Sequence, residues 1–347
     1  MYKRDVCFKS IVHFKATNEL LVTYDSNNQV TANDISKELK ITNVNLIEIF
    51  NHKIYLSSLK GEYCVFDYEL NILDDTGTKL FYPINDEFLG LQYLDSNKNI
   101  QNALINNRDT IIELTGLDKT GNYLVTNGES IFYSKRNKVF GEYFLTTSET
   151  KWTNTVELIS HDAIISLIDI LNGILFIYTK GNKILIVNAK SGEISHVLNG
   201  PSQIFGESNI DEELRPYPFF RTKYLLNEDK TCIYGLAMDL FYELKVENNE
   251  VISVAYSLKK EFDRLGINHW YISKNNVLHG KHFYFMLEDL LRFAVLDVET
   301  KEIVFLSDEI GVSNNQGAFT KLKEIQITES KAYVLASDNV LYVFNKV

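Results

Sequence analysis

Apolar residues along this chain gather in short runs that break on a polar corner and then resume. In ILIVNAKSGEI, residues 184–194, the run Ile184 to Val187 meets the corner Asn188 to Gly192 and restarts at Glu193 and Ile194. That is the pattern of two antiparallel strands joined by a tight turn, because Asn and Gly tolerate the left-handed backbone such a turn needs. The phrase returns as RFAVLDVETKEI ending at Ile303, YCVFDYELNIL ending at Leu73, FYELKVENNEV ending at Val251, and LYVFN near the C-terminus. One strand, turn, strand unit is therefore reused.

The remaining strands fall into groups around these corners. Alternation over residues 5–13 places Val6, Phe8, Ser10 and Val12 on one face and predicts a strand, followed by strands at 19–24 and 29–31. Strands at 45–50, 53–56, 63–66 and 71–73 complete a four-stranded group. Between 74 and 150 the pattern weakens, since LINNRDTII (104–112) and FYSKRNKVF (132–140) both resemble the corner phrase yet lie too close for two full groups. Groups then follow at 155–198, 219–256 and 270–306, and the last has three strands only, at 323–327, 331–335 and 340–344.

The corners at Asn188, Lys245, Asp297 and Asn345 recur about every 50 residues, the size of a four-stranded repeat with its loop. VNAKSGEI and LDVETKEI resemble the turn between the third and fourth strands of quinoprotein-like and WD-type β-propellers, whose repeats carry an Asp-Ala-x-Thr-Gly-like phrase. The resemblance implies an all-β propeller in a single domain over 1–347. Adding Asp67, a corner near Ala32 and one ambiguous corner gives seven blades of four antiparallel strands, or eight if both ambiguous corners count. The strand missing from the last blade is expected from Val6 to Val12, closing the ring and covering an exposed edge.

Composition narrows the function. The chain of 347 residues carries a formal charge of -11, which disfavours nucleic-acid and anionic-membrane binding and favours a basic protein partner. Cys7, Cys64 and Cys232 are scattered, which predicts reduced, buried core thiols in a cytoplasmic protein. No run of 18 apolar residues occurs, and the basic start MYKRDVCFKSIVHF lacks the apolar stretch of a signal peptide.

Catalytic signatures are absent: there is no HExxH, GxxxxGK or GxSxG. HGKH, His279 to His282, is set aside as a metal site because residues three apart on one strand face opposite ways. No metal, no cofactor and no catalytic residue is therefore expected. Irregular sequence concentrates in connectors 74–90, 144–154, 199–220, 257–268 and 307–321, which join successive blades and emerge on one face. Within 199–222 an acidic patch of Asp211, Glu212 and Glu213 meets Arg215, Tyr217 and Arg221, side chains of the kind that anchor interfaces. Trp152, His269 and Trp270 are expected where connectors enter innermost strands. The reading is a monomeric, non-enzymatic protein-binding propeller that uses its loop-rich face, of immunity, antitoxin or scaffold type. The alternative is a hydrolase or lyase acting on a sugar or small metabolite at the channel mouth through paired carboxylates.

Overall fold

The computed structural model describes residues 2–85, 87–114, 117, 123–125, 129–135, 138–156, 163–206, 218–268, 272–311 and 321–347. Its strands form eight separate sheets, not seven, and the chain falls into two compact units, Phe8–Val156 and Met1–Cys7 with Glu157–Val347.

The Phe8–Val156 unit holds four antiparallel meanders in chain order. They run Ile11–Ala16, Leu21–Asp25, Gln29–Ala32, Ile35–Glu38; Val44–Phe50, Lys53–Ser58, Tyr63–Phe66, Ile72–Asp74; Lys79–Asn85, Phe88–Leu94, Ile100–Asn106, Ile111–Glu113; and Tyr123–Val125, Ser130–Lys135, Val139–Phe144, Glu149–Thr155. The other unit holds four more. These are Ile164–Leu171, Ile174–Thr179, Ile184–Asn188, Ile194–Leu198; Leu225–Leu226, Cys232–Ala237, Leu240–Glu247, Glu250–Ser257; Val277–His279, His282–Leu287, Arg292–Asp297, Ile303–Leu306; and Leu322–Ile327, Lys331–Ala336, Leu341–Lys346 with Tyr2–Phe8 as the fourth strand.

The eighth sheet appears because two stretches expected as connectors are strands. Lys79–Asn85 lies in the expected connector 74–90, and its Pro83 sits at a register shift against Phe88–Leu94, where a missing ladder N–H is tolerated. Glu149–Thr155 lies in the expected connector 144–154, and its largely exposed pattern gives no apolar signal. The two ambiguous phrases belong to different sheets. LINNRDTII turns between the third and fourth strands of the third sheet, and FYSKRNKVF turns between the second and third strands of the fourth.

Burial grades across each sheet. Second and third strands such as Cys232–Ala237 and Tyr63–Phe66 are buried on both faces, whereas the fourth strand Ile194–Leu198 is mostly exposed. Middle strands therefore read as continuous apolar runs. Neighbouring sheets within a unit share apolar clusters: Phe176, Tyr178 and Ile186 meet Ile233, Tyr242 and Leu244, while Phe241 and Leu236 meet Phe283, Phe285 and Leu296. Leu56 and Phe66 likewise meet Val22 and Val30 in the Phe8–Val156 unit.

The recurring corner has a hydrogen-bonding cause. Asn188 Oδ1 accepts from the N–H groups of Lys190 and Ser191, and Asp297 Oδ1 from those of Glu299 and Thr300. Asp67 Oδ1 accepts from Glu69 and Asn71, so a short acidic or amide side chain closes each turn in place of backbone. Lys245 is no such corner. It pairs within the ladder, and the turn is made by Asn248 and Asn249, both at positive φ, as a two-residue hairpin.

The last sheet is completed by the N-terminus as expected in kind but not in register. Tyr2–Phe8 is the pairing strand, and Ile11–Ala16 already begins the first sheet. Tyr2 is its one buried residue, with ring centroids 6.1, 5.9 and 5.7 Å from Tyr284, Phe293 and Phe305, and its hydroxyl is 3.0 Å from that of Tyr284. Cys7 lies exposed on this edge strand, so only Cys64 and Cys232 fit the expectation of core thiols.

Candidate functional site

A meander puts its first-to-second and third-to-fourth turns at one end of each sheet, and its second-to-third turns and sheet-to-sheet connectors at the other. Of the residues predicted to bind at the connector end, Asp211, Glu212, Glu213, Arg215, Tyr217, His269 and Trp270 lie outside the described residues. Arg221 is described and exposed. It follows an anchored segment: the Tyr178 hydroxyl donates to Phe219 O at 3.1 Å, the Tyr242 hydroxyl to Pro218 O at 3.3 Å, and Phe219 itself is fully buried. The first part of the 199–222 stretch is a strand rather than an irregular connector. Gln203–Phe205 adds a fifth, parallel strand to the outer edge of Glu250–Ser257, fastened by Ser202 against Ser253, with Phe205 stacked on Tyr256 at 5.4 Å. An open sheet edge is thereby covered.

Trp152 is not where a connector enters an innermost strand. It stands on the outer strand Glu149–Thr155, where its indole N–H donates to Glu142 Oε2 at 2.9 Å and its ring lies 5.9 Å from both Phe132 and Phe140. The expected connector 257–268 is likewise structured: the helix Lys259–Leu265 buries Phe262 in the cluster shared by the sixth and seventh sheets.

Three buried carboxylates of the sheets are paired with lysine. Glu142 meets Lys151 at 2.9 Å and accepts from the Ser130 hydroxyl at 2.9 Å. Glu243, 3% exposed, meets Lys245 at 3.1 Å and also Lys301, which lies over the Tyr256 ring. Asp297 meets Lys281 at 3.0 Å. The two histidines of HGKH are cross-strand partners flanking a two-residue turn and so share a face, contrary to the single-strand expectation. Burial holds the His282 imidazole below its usual range, opposed by Asp297. No third His, Cys, Asp or Glu completes a metal-binding group there among the described residues.

A cavity of about 300 Å³ opens in the Phe8–Val156 unit, among the first strands of its first three sheets. Its charged wall is the pair Lys15 and Glu48, with Nζ to Oε1 at 2.6 Å. Glu48 is 8% exposed, and the Ile49 N–H also donates to Oε1, at 3.2 Å. Phe50, Phe88 and Leu89 supply a buried apolar wall. Sequence reasoning missed this place because Glu48 sits inside NLIEIF and reads as one outward position of an alternating strand. A carboxylate inside so apolar a run was the available signal.

No protein-family model and no curated protein matches the chain. Solved structures do. The computationally designed Ika8 protein is similar with a TM-score of 0.63 at 9% identity, over 97% of this chain and 96% of its own. BamB from Moraxella catarrhalis, a quinoprotein-like propeller, is similar with a TM-score of 0.59 at 9% identity over 100% of both chains. Sqt1 from Saccharomyces cerevisiae, a WD40 protein, gives 0.60 at 11% identity over 100% of both. At these identities the likeness carries the fold: the chain has the β-propeller architecture, with eight blades of four antiparallel strands.

Proposed function

We propose that the chain is a single-domain, monomeric, non-enzymatic propeller that binds a basic protein partner at the connector end of its sheets, as a cytoplasmic immunity, antitoxin or scaffold protein. The observation that carries this reading is the length of three successive connectors in one unit, 199–224, 258–276 and 307–321, against hairpins as short as Asn248 and Asn249 at the other end. Exposed connectors held on a rigid scaffold are where propellers of this build place variable recognition chemistry. The partner's charge follows from the acidity of the chain. Asp211, Glu212 and Glu213 are consecutive acids of a chain whose net charge is -11, and Glu142, Glu243 and Asp297 are each paired with lysine in the sheets. A carboxylate pair free for acid and base catalysis is not formed by these three.

The test uses a partner captured from the source cell and identified by mass spectrometry. Replacing Asp211, Glu212 and Glu213 together by lysine should slow its association about tenfold at low salt, since an acidic rim steers encounter. Replacing Lys190 and Ser191 in the opposite hairpin should change nothing. Equal loss from the two sets, or loss from neither, would mean that binding occurs elsewhere.

A further inference from the structure

The Lys15 and Glu48 pair is incompletely satisfied on both sides. Both contacts to the Glu48 carboxylate fall on Oε1, and no hydrogen bond reaches Oε2 among the described residues. Among the described residues Lys15 Nζ makes no other ion pair or hydrogen bond, so of three ammonium donors one is used by protein. Glu48 is 8% exposed as a residue, and its Oε2 keeps contact with solvent, which leaves that oxygen open to a guest in the cavity. Both groups line the same cavity.

We propose that this cavity binds a small zwitterion of the α-amino-acid class with an apolar side chain. A guest with one charge would be repelled by one member of the pair and would leave a net charge in a partly desolvated site. A zwitterion avoids both penalties. Its ammonium donates to Glu48 Oε2 and its carboxylate accepts from the spare donors of Lys15, so four charges alternate in sign and their sum stays zero. Its side chain then lies against Phe50, Phe88 and Leu89, which are 7%, 4% and 1% exposed. The volume of about 300 Å³ lies at the small end of ligand pockets, enough for one amino acid and too little for a nucleotide with its phosphates. The Lys15 side chain is 30% exposed against 11% for Glu48, so the carboxylate end of the guest faces the opening and the ammonium lies deeper. The site belongs to the Phe8–Val156 unit and does not depend on the protein-binding reading.

Isothermal titration of the intact chain with L-leucine and L-phenylalanine tests it, beside N-acetyl-L-leucine, which lacks the ammonium, and isoamylamine, which lacks the carboxylate. At least one amino acid should bind with a dissociation constant below about 1 mM, and both analogues should bind at least about tenfold more weakly. Lys15→Met keeps the aliphatic stem and should weaken the amino acid about tenfold or more; Glu48→Gln should do the same if it melts as the parent does. Should Glu48→Gln fail to fold, Lys15→Met and the analogue series on the unaltered chain decide the matter. Binding of neither amino acid at about 10 mM, analogues that bind equally well, or an unaffected Lys15→Met would overturn the proposal.

Discussion

Several carboxylates of these sheets are paired with lysine, and the clearest pH consequence lies at the part-exposed Asp74. Its Oδ2 is 2.5 Å from Lys79 Nζ, and its Oδ1 accepts from the Thr76 N–H and hydroxyl at 3.1 and 2.9 Å. Burial alone would raise the Asp74 pKa, but the hydrogen bonds from Lys79, Thr76 and Tyr63 outweigh it and bring it down to about 2. A folded-state pKa below the unfolded value of about 3.9 contributes stability that is complete above about pH 4 and is lost as pH falls toward 2. Asp74→Asn should therefore lower the unfolding free energy measured in urea modestly at pH 6, by no more than about 1 kcal/mol at this part-exposed site, and the gap from the parent should close between about pH 4 and 2. A gap that is unchanged at pH 2 would show that the charge is not what stabilises. None of this was legible beforehand. DDTGTK, residues 74–79, reads as a polar connector, and only the fold brings Lys79 and Tyr63 to the same carboxylate.

Elements were legible where their burial is symmetric. Middle strands buried on both faces announce themselves as apolar runs, so the units around Asn188 and Asp297 could be read directly. The outer strand Glu149–Thr155 is missed, because a strand largely exposed and only half-covered carries no apolar period strong enough to see, and with Lys79–Asn85 it accounts for the eighth blade. Within the sheets a second device was invisible to periodicity: tyrosines laid across glycines of the paired strand. Tyr82 opposes Gly90, and Tyr133 opposes Gly141. A Cβ at Gly90 would fall 2.0 Å from the Tyr82 ring, and one at Gly141 would fall 2.6 Å from the Trp152 carbonyl and 2.9 Å from the Tyr133 ring. Glycine is needed there for space, with the ring covering the backbone it leaves bare. Gly141→Ala has a carbonyl as well as a ring to displace and should lose about 1–3 kcal/mol by urea unfolding. An unchanged midpoint would mean that the strands part without cost.

For the molecule as a whole, the strand Tyr2–Phe8 separates two contributions that usually act together, packing and edge protection. Its packing is concentrated in Tyr2, since the other six residues are exposed. Arg4 adds a guanidinium 5.3 Å from the Tyr342 ring centroid and a hydrogen bond to Glu309 O at an exposed site. Its edge role is the ladder itself, which covers Leu341–Lys346. That a terminal strand completes the last sheet could be inferred from a group one strand short, but not its register. The alternation of Val6, Phe8 and Val12 reads as one strand, whereas Ser10, at positive φ, breaks it into two that serve different sheets. Tyr2→Ala removes the aromatic anchor and keeps the ladder, so it should cost about 3–5 kcal/mol, as large aromatic truncations do, while the protein stays monodisperse. Deleting residues 1–7 removes both, bares the backbone of Leu341–Lys346 and should bring concentration-dependent aggregation in addition to a lower melting temperature. Light scattering and thermal unfolding on the two variants distinguish the effects. A truncated chain that melts as the parent does and remains monodisperse would show that the last sheet is complete without its N-terminal strand.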